Sequence, residues 1–178
     1  MHKNNKSTAT ILEKGTDGEV RLNNWLRENG ITYFQIKQDI QSFMHSFAQV
    51  MKRPDFFVLV EGLSMLAVDA KNYSLSNGYF TLNKIELEKA IAFEIITKMP
   101  FWFAYLHQSD SGSTWYWISA LKALDAGIMR VNKTTGEEFL VISVSEFIAI
   151  RNQSDISKLY TQRSGLNAKI VPIRKLSN

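Results

Sequence analysis

A chain of 178 residues has the size of one domain, and with 45% hydrophobic and 21% charged residues it can bury an ordinary core. The absence of cysteine excludes disulfides and thiolate metal sites and fits a reducing compartment such as the cytoplasm. A net charge of +4 permits a polyanionic partner without demanding one.

The residues Met1 to Thr10 are polar, carry no signal-like apolar run, and are expected to be disordered. A helix is predicted over Thr16 to Asn29, where Leu22, Trp25 and Leu26 form an apolar stripe and Gly30 is a C-cap. Ile31 to Ile36 reads as a short strand and Asp39 to Met51 as a further helical piece. Phe56 to Val60 and Met65 to Lys71 are two strands around a turn at Glu61-Gly62-Leu63-Ser64, which makes a β-hairpin. Tyr73 to Gly78 is a polar loop with Asn77-Gly78 as its turn signal. A helix follows over Asn83 to Met99, ended by Pro100, and Phe101 to Leu106 is a buried strand. After a polar loop at Gln108 to Ser113, strands are expected at Trp115 to Ile118, Ile128 to Asn132 and Phe139 to Ser143, the last entered through a turn at Thr134 to Glu137. Ser145 is read as the cap of a short helix running to Ile150. No apolar stretch approaches the ~20 residues that span a bilayer, so no membrane partner is expected. A hairpin plus a strand–helix–strand crossover implies an α/β fold with a mixed central β-sheet flanked by helices.

Within the hairpin, Asp69 and Lys71 are two apart on one strand and share a face. Asp55 stands just before the partner strand. A three-residue turn sets Asp55 opposite Asp69, a slip of one breaks that parity, and a further slip sets it opposite Lys71. Two close carboxylates repel unless a proton or cation lies between them, and a divalent ion with oxygen ligands resolves the repulsion. Relief of that repulsion is also the expected effect of Asp69→Asn on the metal-free fold. Val68 and Ala70 flank Asp69, and charges in so apolar a strand need partners. A lysine there can hold or help activate a water, or stabilise charge developing on a phosphate.

Pro54-Asp55, a hairpin, and then Asp69-Ala70-Lys71 resemble the signature of the PD-(D/E)xK nuclease superfamily, and most of all its restriction-endonuclease-like and Holliday-junction-resolvase-like members. Glu19 on the preceding helix is similar to the acidic helix residue of many members. The helix Asn83 to Met99, Pro100 and the aromatic strand after it resemble the crossover of that fold. The resemblance spans roughly Lys14 to Leu106, with residues 11–155 as the nuclease-like domain and 156–178 as a basic segment packed on it or extending it. It implies a restriction-endonuclease-like fold and a metal-dependent endonuclease acting on DNA. Asp55, Asp69 and the main-chain carbonyl of Ala70 would bind Mg²⁺ or Mn²⁺, Glu19 would bind directly or through water, and Lys71 would position or activate the attacking water. One departure is Asp69 itself, since members more often carry Glu before x-Lys. Many members also place a Gln or Lys of the following helix toward the site, and Lys84 and Glu88 are the candidates here.

Each feature also has a plainer reading. Thr16-x-x-Glu19 is a capping box, although Glu19 also lies on the inward stripe with Leu22 and Leu26. Lys84 and Glu88 are spaced as a surface ion pair. His45 and His107 show no zinc spacing, and His107 reads as a loop or strand-end residue. Trp102, Trp115 and Trp117 read as core or partner surface rather than as stacking platforms. From Ile156 to Asn178 there is no acidic residue, while Lys158, Arg163, Lys169, Arg174 and Lys175 are basic, which makes either a solvated tail or a phosphate-contacting segment. Cutting both strands, or a junction, would favour a two-fold homodimer. The alternative to a nuclease is a non-catalytic nucleic-acid-binding or protein-interaction module on the same fold.

Overall fold

The computed structural model describes residues 5–36, 49–62, 64–73, 75–107 and 113–159, with the side chains of 5–16 and 64 left out. The expected helical piece at Asp39 to Met51 therefore lies almost wholly outside the described residues. So do His45, most of the loop at Gln108 to Ser113, and Arg163, Lys169, Arg174 and Lys175.

Helix α1 (Asn5–Glu28) is longer than its apolar stripe. The stretch expected to be disordered up to Thr10 is helical from Asn5. Ala9, Leu12, Glu13 and Lys14 are good helix formers, and extending an existing helix is far cheaper than nucleating one. Leu22, Trp25 and Leu26 are buried, as the stripe required. Gly30 ends the helix at φ 64° and lets the Ile31 N–H donate back to the Leu26 carbonyl.

Strands β1 (Tyr33–Gln35), β2 (Phe56–Val60) and β3 (Ser64–Lys71) follow, then β4 (Tyr79–Asn83) and helix α2 (Lys84–Thr97). Next come β5 (Phe101–Leu106), β6 (Trp115–Ser119), helix α3 (Ala120–Ala126), β7 (Ile128–Val131), β8 (Glu138–Ser143) and β9 (Ile148–Ile150). Six strands form a mixed sheet in the order β1-β2-β3-β5-β6-β9, in which only β3 and β5 run parallel. The α/β architecture with a mixed central sheet flanked by helices is thus the observed one.

Other elements differ from the sequence reading as well, among them helix α3, which stands between two expected strands where no helix was expected. Strands β4, β8 and β7 form a second, three-stranded sheet. β4 alternates exposed and buried residues, a period that the short run after Asn77-Gly78 does not advertise. Ile148–Ile150 is an edge strand on β6 and not a helix. Ser143 rather than Ser145 caps the turn before it, which is a single 3₁₀ turn over Val144–Glu146. Helix α2 stops at Thr97, with Lys98 in the left-handed region at φ 60°, so the chain turns two residues ahead of Pro100.

The central sheet has a core on each face. On one face α1 packs over Val58, Leu66, Val68, Trp102, Ala104, Trp115 and Trp117. On the other, α2, α3 and the small sheet cover Ala67, Phe101, Phe103, Tyr105 and Ile118. The three tryptophans of β5 and β6 are core residues, at most 1% exposed.

Candidate active site

The hairpin register follows from its turn. Val60 pairs with Ser64 and Phe56 with Val68, which leaves three residues between the paired ends. Gly62 supplies a positive φ of 71° there. One residue further along the same register, Asp55 stands opposite Asp69. The Asp55 N–H donates to the Val68 carbonyl at 2.9 Å, and Asp55 Oδ2 accepts from the Ala70 N–H at 2.8 Å. Strand alternation sends Leu66, Val68 and Ala70 into the α1 side of the core and leaves Asp69 and Lys71 on the α2 side, beside Phe103 and Tyr105 of β5. Asp55, Asp69 and Lys71 are all buried.

Helix α2 adds an unexpected acid. Asn83 caps it by accepting from the Ile85 N–H at 2.8 Å, and Glu86 follows three residues after the cap, where the helix N-terminus favours an anion. Glu86 receives Lys71 Nζ on both oxygens, at 2.8 and 2.9 Å. The segment before β2 adds a second lysine. The Lys52 main chain is fixed on α2 by its N–H donating to the Lys89 carbonyl at 2.9 Å. Its Nζ lies 2.7 Å from Glu86 Oε1 and 3.0 Å from Asp69 Oδ1. Lys71 Nζ lies 2.9 Å from Asp69 Oδ2, which closes a ring of alternating charges: Asp69, Lys71, Glu86, Lys52. Asp69 Oδ2 is buried against the Lys71 ammonium.

Helix α1 reaches the same end of the sheet. Asp17 accepts from Asn72 Nδ2 at 2.9 Å, and Gly18 lies so close that a Cβ there would meet the Asn72 Cβ at 3.1 Å. That close approach brings Glu19 into the field of Asp69 and Asp55.

Burial and then the Asp69 charge raise Asp55 to about 8, against the opposing pull of the Ala70 N–H. Burial and Asp69 also raise Glu19. For Glu86 burial acts upward, yet Lys71 and Lys52 outweigh it and hold the carboxyl down at about 2. For Lys71 burial acts downward, and Asp69 with Glu86 overcomes it, so the ammonium holds its proton more tightly than usual.

The structure thus brings together Asp55, Asp69, Lys71 and Glu19 from the sequence-derived set. Lys84 and Glu88 stay outside, 3.9 Å apart on the surface, with Lys84 bound to Glu138 at 2.6 Å. Two residues of the cluster, Lys52 and Glu86, are absent from that set. The pattern Asn83-x-x-Glu86 marks Glu86 as a capping residue, and nothing in the local sequence marks Lys52. His107 sits at the end of β5 against Phe80 and Tyr116, as a strand-end histidine. Among the described residues no three acidic or histidine side chains are arranged to hold a metal ion as they stand. No helix among them is long and apolar enough to cross a membrane.

No protein-family model matches the chain, and no curated protein matches it. Among solved structures it is similar to Hjc, a Holliday junction resolvase from the archaeal hyperthermophile Archaeoglobus fulgidus, at 14% identity and a TM-score of 0.49, over 81% of this chain and 96% of that one. A likeness at that level decides neither family nor activity.

Proposed function

We propose that this protein is a divalent-metal-dependent endonuclease that hydrolyses DNA phosphodiester bonds. The observation that carries the reading is the opposition of Asp55 and Asp69 across a hairpin, with Lys71 two residues on, all three buried at one end of a sheet. The residues fit a hard divalent ion. The donors are oxygens, and Asp55 is held against ionisation by burial and by the facing carboxylate, the repulsion that a divalent ion between the two would relieve. Asp55, Asp69 and the Ala70 carbonyl would hold Mg²⁺ or Mn²⁺, with Glu19 joining directly or through water. When bound, such an ion supplies Lewis-acid polarisation of the phosphate and acidifies a water molecule.

The chain's own part is positioning and charge. In the metal-free site Asp69 and Glu86 make the Lys71 ammonium hold its proton more tightly than usual, which suits it to donate. Anchored by both Glu86 oxygens, its ammonium is fit to orient the attacking water or to meet negative charge on the phosphate as water adds to phosphorus and one P–O ester bond breaks. Glu86 acts through Lys71 as a positioning residue. The mild positive charge and the basic stretch after Asp155 support a nucleic-acid substrate, and a two-fold dimer would present two such sites for paired cuts.

The test is a cleavage panel of linear, nicked, single-stranded and four-way DNA with Mg²⁺, Mn²⁺ or a chelator. The wild type should cut at least one substrate with metal and none with chelator. Lys71→Ala should retain DNA binding while cleavage falls by roughly 10²-fold, the scale of losing one aligned donor. Lys71→Arg should restore little of it, since a planar guanidinium cannot replace a compact ammonium. An intact Lys71→Ala enzyme, or cleavage indifferent to metal, would overturn the assignment.

A further inference from the structure

The four-charge ring holds two carboxylates and two ammonium groups, and is neutral with no metal present. Both oxygens of Asp69 face an ammonium, Oδ1 at 3.0 Å from Lys52 and Oδ2 at 2.9 Å from Lys71. A divalent ion taken up by Asp69 would meet two like charges at contact distance, and one of them has to leave. The two lysines are not equivalent. The Lys71 side chain is 8% exposed and is bound by both oxygens of Glu86, whereas the Lys52 side chain is 20% exposed and touches one oxygen of each acid. Lys52 is anchored at its main chain, and four flexible carbons let its ammonium swing to solvent without moving the segment. Its charge is also felt by all four carboxylates of the cluster, Glu19, Asp55, Asp69 and Glu86, as a cation seated among them would be.

We infer that Lys52 is the site's own counter-cation, seated on Asp69 Oδ1 in the metal-free protein and displaced to solvent when a divalent ion enters. The inference rests on the metal-binding reading above and adds that metal affinity is set by competition within the chain. The ring is thereby kept neutral in the metal-free protein, and the site loads only where free divalent ion is abundant enough to win.

Two measurements on the full chain test it. In calorimetric titration with Mn²⁺, Lys52→Met should bind about tenfold or more tightly than wild type, because the competitor is gone and the apolar stem remains. Lys52→Arg, which keeps the charge, should bind no tighter than wild type. In the unmodified chain, acylation of lysine amines mapped by mass spectrometry should show Lys52 becoming more reactive on adding Mg²⁺ while Lys71 stays protected. Equal or weaker Mn²⁺ binding by a folded Lys52→Met variant overturns the inference, and so does Lys52 labelling that does not respond to Mg²⁺. If Lys52→Met does not fold, the labelling decides alone. Wild-type binding with either adverse result sinks Lys52 only, whereas no Mn²⁺ binding by wild type or variants sinks the metal site and the inference together.

Discussion

Asp55 and Asp69 face each other, yet loss of charge at the two positions should act in opposite senses. Asp69 is the counter-charge of both lysines, so Asp69→Asn leaves the buried Lys71 ammonium and the half-buried Lys52 with Glu86 alone and should lower the metal-free melting temperature. The cost is about 3 kcal/mol, or roughly 6–12 °C for a chain of this size. The relief of repulsion expected from sequence at this position is outweighed, because the lysines already neutralise Asp69. Asp55→Asn should instead raise the metal-free melting temperature by about 1 kcal/mol or more above neutral pH, roughly 2–4 °C, since the amide oxygen can still accept from Ala70 and no charge is buried. The pH dependence has a fixed sign. Asp55, raised to about 8, contributes stability below its unfolded value near 3.8 and loses it as pH rises through 8. Glu86, lowered to about 2, contributes above its usual 4.5 and loses it as pH falls toward 2. Melting curves from pH 3 to 9 should fall at both ends, and Asp55→Asn should flatten the alkaline side alone. The opposed carboxylates were legible in the sequence because a turn length fixes register by counting. Lys52 and Glu86 were not, because they meet across 34 residues, through contacts that no local spacing encodes.

At the scale of elements, the docking of α1 on the end of β3 decides where Glu19 lies. A Cβ at Gly18 would press on Asn72 at 3.1 Å from its Cβ and 3.3 Å from its N, so the branched side chain of Gly18→Val should push the helix away from the strand. The expected result is a melting temperature lower by several degrees, from about 1–3 kcal/mol of overpacking, together with weaker Mn²⁺ binding by calorimetry as Glu19 retreats. Unchanged metal affinity in a destabilised variant would remove Glu19 from the site. The hairpin, α1, α2 and β5 were readable because each carries a strong period or a clear terminator. Helix α2 shows where such reading stops. It exposes Ile85, Ile95 and Ile96 while burying Leu87, Ala90 and Phe93, so apolar residues lie all around it and pattern alone does not set its rotation. Lys84 and Glu88 were therefore as plausible as Glu86, and only packing against the sheet chose between them. Strands β4 and β9 are short and pair with partners far along the chain, β8 and β6, which is why the second sheet and the last edge were missed.

For the molecule as a whole, the site lies at one end of a sheet covered on both faces, and the basic stretch after Asp155 is the longest run of the sequence without an acid. Removing Lys169 to Asn178 should weaken DNA binding alike for all sequences and reduce its salt dependence, by a slope of about 1 for each phosphate no longer neutralised. An unchanged slope would make this a solvated tail. Lys158, the one basic residue of that stretch within the described part, is paired with Asp155, so the remaining cations carry the expectation. The double core has a further consequence. All four tryptophans are buried, Trp25 on the inward face of α1 and the other three in the central strands, and the indole N–H groups of Trp102, Trp115 and Trp117 meet no acceptor among the described residues. Native fluorescence should therefore be blue, intense and inaccessible to iodide, and unfolding should shift it red in a single step. The protein carries its own optical gauge of integrity, one that needs no label and reports from the same central sheet as the hairpin of Asp55 and Asp69.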